Sequence, residues 1–187
     1  AIYGTAIELG MNSLETLRLL SELESVSGRF QYIVSSTNIT AIVDYAHTPD
    51  ALENVLKTTN DIRTKNEQLI TVVGCGGNRD KTKRPIMARI ASELSDKVVL
   101  TSDNPRNENP DTIIKEMEEG VAAENYNKIL AITDRKQAIK TACQLAQPND
   151  IILIAGKGHE TYQEINGVRQ AFDDMKIVKE ILEQLYK

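Results

Sequence analysis

The chain has 187 residues, 41% of them apolar, with 4% aromatics and no tryptophan, enough for one sizeable α/β domain plus a short appendage. A formal net charge of −5 argues against a general nucleic-acid or anionic-membrane binder, while leaving room for a local basic pocket. Cys75 and Cys143 show no metal-ligand spacing, and the longest apolar runs, such as 151–155, are far too short to cross a bilayer; with no leader-like opening, the expectation is a cytoplasmic protein with two reduced thiols, Cys143 in the core.

Residues 1–26 read as helical. Leu14, Leu17, Leu20 and Leu23 recur on one face, Gly10 and Asn12-Ser13 mark a break, Ser13 is the expected N-cap, and Ser27-Gly28 closes the segment. From residue 29 the hydrophobic period alternates between two and about 3.6. Strands are predicted over 30–35, 40–44, 68–73, 97–101, 128–132 and 150–155. Helices are predicted over 49–63, 84–95, 110–122, 134–146 and 174–186. Ile62, Ile86 and Leu185 are among the apolar positions assigned to their buried faces. Such alternation implies a mainly parallel six-stranded sheet with helices on both faces. Near the end, 160–165 and 168–172 flank Asn166-Gly167, a strong signal for a β-hairpin. No internal repeat or low-complexity segment is present.

Four polar loops follow four of the strands, and in a parallel sheet all four emerge on one edge, where ligands bind. In Asp44-Tyr45-Ala46-His47-Thr48-Pro49, Thr48 and Pro49 are explained as the cap and first residue of a helix, which leaves Asp44 and His47 as candidate ligand contacts. Gly74-Cys75-Gly76-Gly77-Asn78-Arg79-Asp80 starts like a dinucleotide fingerprint, but Arg79 stands where the last glycine belongs. Its glycines let backbone approach a ligand, and Arg79, Lys81, Lys83 and Arg84 make the loop cationic. Asp103-Asn104-Pro105-Arg106 groups an acceptor, an amide, a rigid turn and a guanidinium fork; a solvated turn is the competing reading. Gly156-Lys157-Gly158-His159-Glu160 offers Glu160 either as an acceptor for an ammonium group or as a lead-in to the hairpin. Fork donors with carboxylate and amide acceptors suit a zwitterion, so the residues point to an amino-acid-like ligand. No nucleophile–base pair, metal-ligand spacing or paired-carboxylate site is visible, so neither catalytic nor metal residues are assigned.

Together with Val26-Ser27-Gly28-Arg29-Phe30, these motifs resemble, in the same order, those of the Mur ligase family of peptidoglycan synthesis, in particular members that add diaminopimelate. The resemblance covers nearly the whole chain. It implies a Rossmann-like C-terminal domain over 28–187, preceded at 1–27 by the helical tail end of a central ATPase domain. The phosphate loop G-x-x-x-x-G-K-[ST] does not occur in this sequence. ATP and Mg2+ are the implied cofactors, the magnesium ligands belonging to the missing central domain. The implied partners are meso-2,6-diaminopimelate, UDP-MurNAc-L-Ala-D-Glu, ATP and the parent's N-terminal and central domains. Position by position, Arg29, Asp44 and His47 would reach ATP; Arg79, Asp103, Asn104, Pro105, Arg106, Gly156 and Glu160 would hold the amino acid. Lysine lacks the distal carboxylate that Arg106 would grip, and a buried donor left unpaired rejects an analogue by ~10⁴–10⁵. Diaminopimelate is therefore expected over lysine. The alternatives are a lysine-adding or folylpolyglutamate-type ligase domain, or a non-catalytic amino-acid-binding module.

Overall fold

The computed structural model describes residues 2–21 and 28–186. It opens with two short helices, α1 (Ile2–Glu8) and α2 (Ser13–Ser21). The cap of α2 is Asn12 rather than Ser13: Asn12 Oδ1 accepts from the N–H groups of Leu14 at 2.9 Å and Glu15 at 3.1 Å. An asparagine caps as well as a serine, and from one position earlier it reaches both orphan donors. Ser13 Oγ instead meets the Tyr3 hydroxyl at 2.8 Å. Leu14 and Leu17 of the expected apolar face are exposed; Leu23 and the Val26-Ser27 part of the fifth motif lie outside the described residues.

The main body is a six-stranded sheet of β1 (Gln31–Val34), β2 (Thr40–Asp44), β3 (Leu69–Cys75), β4 (Lys97–Ser102), β5 (Ile129–Ala131) and β6 (Ile151–Ala155). Its order is β1-β2-β6-β3-β4-β5, with β1 antiparallel to β2 at one edge and every other pair parallel. The central strands are buried on both faces, as their runs rich in isoleucine, valine and leucine require. Leu69 and Val73 of β3 with Leu153 of β6 face α3 (Pro49–Ile62), α4 (Lys83–Leu94) and α5 (Pro110–Glu118). Ile70 and Val72 with Ile152 and Ile154 face α6 (Arg135–Leu145) and α7 (Asp174–Leu185). A separate antiparallel hairpin, β7 (Tyr162–Ile165) and β8 (Val168–Ala171), turns at Asn166 and Gly167, whose φ values of 50° and 74° are those of a type I′ turn.

The end of one helix and three apolar positions depart from expectation. The helix predicted over 110–122 stops at Glu118, and a 3₁₀ turn, Ala123–Lys128, follows it. Gly120 lies against the Pro85 carbonyl so closely that a Cβ there would sit 1.9 Å from the oxygen. Ile62 (61% exposed) and Leu185 (39%) are in terminal turns and do not join the core, while Ile86 (38%) faces the cleft described below. Both cysteines are free and buried, and burial pushes each thiol up to about 12. Among the described residues no helix is long and apolar enough to cross a membrane.

Candidate functional site

The sheet order brings the four loops together. Because β6 returns to the slot between β2 and β3, the loop after it falls between the 44–49 and 74–80 loops, at the point where strand order reverses. That crevice is the usual ligand position in an open α/β sheet. A cleft of about 700 Å³ opens there, and six of the seven residues expected to hold an amino acid line it: Arg79, Asp103, Asn104, Arg106, Gly156 and Glu160. His47 lines it too. Pro105, the seventh, is buried, and its carbonyl packs on Gly77. Arg29 and Asp44 do not line the cleft. The Arg29 guanidinium lies 4.9 Å over the Tyr45 ring, and Tyr45 in turn meets the rings of His47 at 4.5 Å and His159 at 5.1 Å. Asp44 Oδ2 accepts from the Phe30 N–H at 2.7 Å, which helps hold Phe30 at a φ of 45°.

The cationic side is narrower than the charge run implied. Arg84 is not a free cation: it is fully buried, donating to both carboxylate oxygens of Glu108 at 3.0 and 3.1 Å and to Glu116. The Arg84 hydrogen bond leads the causes that bring the Glu108 carboxyl down to about 2, followed by the Asn78 N–H. Lys81 reaches Glu108 at 3.3 Å, and Lys83 donates to the His47 carbonyl at 2.7 Å. Among the described residues Arg79 makes no hydrogen bond or ion pair, and it is exposed at the cleft. Arg106 is half-buried with φ 51°, a left-handed conformation rare for a side-chain-bearing residue. Two backbone bonds to the hairpin hold it, Arg106 N–H to Glu164 at 3.0 Å and Asn166 N–H to Arg106 at 2.7 Å. Its Nη1 donates to the Gly77 carbonyl at 2.9 Å, leaving Nη2 and Nε for a ligand carboxylate.

The acceptor side carries a residue to which the sequence assigned no role. The ammonium of Lys157 is fully buried and donates to Asp103 Oδ1 at 3.3 Å, Asn104 Oδ1 at 3.0 Å and Glu160 Oε2 at 3.3 Å. Asn104 also donates to Glu160 Oε2 at 2.9 Å and accepts from the Glu164 N–H at 2.9 Å. Glu160 is thus a member of the acceptor cluster and not only a hairpin lead-in. A second fully buried cation, Arg135, pairs with Asp174 through two bonds of 2.9 and 2.6 Å and donates to the Ala155 carbonyl at 3.1 Å. Burial works against its charge, but Asp174, Asp103 and Glu160 outweigh that and raise its pKa. No spacing rule finds these pairs, whose members lie up to 54 residues apart.

Comparisons with known proteins place the chain in a family. The family described as "Mur ligase, glutamate ligase domain" matches residues 28–158. A UDP-N-acetylmuramoyl-L-alanyl-D-glutamate–2,6-diaminopimelate ligase of Cytophaga hutchinsonii is 59% identical over the whole chain, which covers 38% of that protein. The enzyme of the same name from Parabacteroides distasonis is 58% identical over 97% of the chain and 37% of its own length. A solved structure of a ligase of that name superposes with a TM-score of 0.80 at 42% identity, covering 99% of this chain and 37% of its own. The chain therefore spans just over a third of the length of the relatives it matches.

Proposed function

The chain belongs to the Mur ligase family, and we propose that it is the part of an ATP-dependent ligase that binds meso-2,6-diaminopimelate for joining to UDP-MurNAc-L-Ala-D-Glu. The observation that carries this reading is the meeting of Arg79 and Arg106 with Asp103, Asn104 and Glu160 in one cleft. Guanidinium forks take carboxylates, and clustered carboxylate and amide oxygens take an ammonium group. In this reading Arg106 grips the distal carboxylate with the Nη2 and Nε donors that no described residue uses. Arg79 is the second carboxylate partner, and the acceptor cluster orients the ammonium. Gly156, at φ 120°, leaves room over Asp103 Oδ2, which a Cβ would approach to 3.0 Å.

ATP supplies the activation, phosphorylating the D-glutamate γ-carboxylate so that the incoming amine displaces phosphate. This chain's share is to hold that amine in a single orientation, the entropic part of the barrier. The N-terminal ends of α3 and α4 border the cleft at Thr48-Pro49 and Thr82-Lys83, where helix dipoles favour anionic groups. Arg29 and His47, both against the Tyr45 ring, and the Asp44 oxygen that does not meet Phe30 are assigned to the nucleotide. Magnesium ligands, and the phosphate loop the sequence lacks, are assigned to a central domain of which residues 1–27 are the tail end. The whole enzyme works in the cytoplasm, where its nucleotide substrates are made. The test is ADP release by the full-length parent protein with UDP-MurNAc-L-Ala-D-Glu. Release that depends on meso-diaminopimelate is expected. Amino-acid binding without ADP release would identify a non-catalytic module instead.

A further inference from the structure

Lys157 sits in the position that a ligand's ammonium group would be expected to take. Its three donors meet three acceptors, Asp103 Oδ1, Asn104 Oδ1 and Glu160 Oε2, and its side chain is out of solvent. It engages one oxygen of each carboxylate. Asp103 Oδ2 and Glu160 Oε1 make no hydrogen bond with the described residues, and both side chains line the cleft. The formal charges of Asp103, Glu160 and Lys157 leave a single negative charge, the complement of one ammonium. Arg135 adds a more distant positive charge felt by both carboxylates.

We propose that Lys157 is a positioning residue for the amino-acid substrate: an ammonium built into the fold that clamps the inner oxygens of Asp103 and Glu160, turning their outer oxygens to the substrate's own ammonium group. This rests on the reading of the cleft as the diaminopimelate site. The clamp also explains how the two carboxylates can lie side by side, since like charges gathered at one place repel each other unless a cation bridges them. Asn104 completes it by joining Lys157, Glu160 and the Glu164 backbone through a single side chain.

The experiment uses the full-length parent ligase with Lys157→Met, which keeps the bulk of the stem, and Lys157→Gln, which keeps donors without the charge. Steady-state KM values for meso-diaminopimelate, ATP and UDP-MurNAc-L-Ala-D-Glu are measured with the melting temperature. The KM for diaminopimelate is expected to rise about 10- to 100-fold, the loss of one well-placed charge-assisted hydrogen bond, with the other two KM values within about twofold. An unchanged diaminopimelate KM in either variant, whatever kcat does, overturns the proposal. So does a common shift of all three KM values with a lower melting temperature, or a failure of both variants to fold, since either makes Lys157 a structural strut. A wild-type enzyme that ligates no diaminopimelate fails before any substitution is made, so loss of the site reading is distinguishable from loss of this inference.

Discussion

Glu108 shows how one side chain can organise a cleft without lining it. It receives two hydrogen bonds from Arg84, a third from the Asn78 N–H and an ion pair from Lys81, tying the glycine loop to the segment after Arg106. Arg84 holds its carboxyl down at about 2 against an ordinary value of 4.5. A carboxylate lowered on folding stabilises the fold fully above its unfolded pKa and loses that contribution as pH falls through its folded one. Glu108→Gln should therefore be less stable than the wild type above about pH 5, the difference shrinking between pH 4.5 and 2. Denaturant unfolding across that range measures it, and a gap that persists undiminished at pH 2 would contradict the assignment. At this scale the sequence showed which residue types were present, not which were already engaged. Arg79 and Arg84 belong to one charge run, yet one lines the cleft with no partner among the described residues and the other is enclosed by Glu108 and Glu116, 24 and 32 residues further on. Lys157 was unreadable for the same reason: two of its three partners come from the loop after another strand.

Elements meet here through close backbone approaches that local patterns only partly foretell. Gly77 donates its N–H to the Asn104 carbonyl at 2.9 Å, and a Cβ on it would sit 2.0 Å from the Pro105 carbonyl oxygen. Gly77→Ala must push the two loops apart, so it should cost about 1–3 kcal/mol of stability, as other overpacked sites do. It should also weaken diaminopimelate binding, because Arg106 anchors its guanidinium on the Gly77 carbonyl. Calorimetric unfolding and the substrate KM check both; a neutral substitution would contradict the packing. Gly167 isolates a different effect, since nothing lies within 4 Å of its absent Cβ and only φ 74° is at stake. Gly167→Ala should cost about 1–2 kcal/mol locally and loosen the hairpin that pins Arg106. Amide hydrogen exchange at Arg106, whose N–H donates to Glu164, should then quicken; unchanged protection would show that the hairpin does not hold it. The Thr48 cap, Pro49 at a helix start and the Asn-Gly turn were legible because each is decided within four residues. The early end of α5 was not, because Gly120 answers to Pro85 on another helix.

For the whole molecule, strand alternation in the sequence disclosed the layered sheet, and motifs at strand ends disclosed which edge carries the cleft. What alternation cannot disclose is strand order. The insertion of β6 between β2 and β3 sets the 156–160 loop beside the 44–49 loop, although more than a hundred residues separate them. Gly28, Gly158 and Tyr45 fit together there so tightly that a Cβ on Gly28 would lie 2.1 Å from the His159 nitrogen. The exposed leucines of α2 suit the reading that residues 1–27 belong with a further domain. The central claim is that the two carboxylate-seeking arginines and the ammonium-seeking cluster together select a diamino diacid. The most direct measurement is the ratio of kcat/KM for meso-diaminopimelate over lysine in the full-length enzyme, before and after Arg106→Ala. The account predicts a ratio of about 10⁴ or more that falls by at least a hundredfold in the variant, because alanine leaves no buried donor for lysine to strand. A ratio unmoved by Arg106→Ala would contradict it.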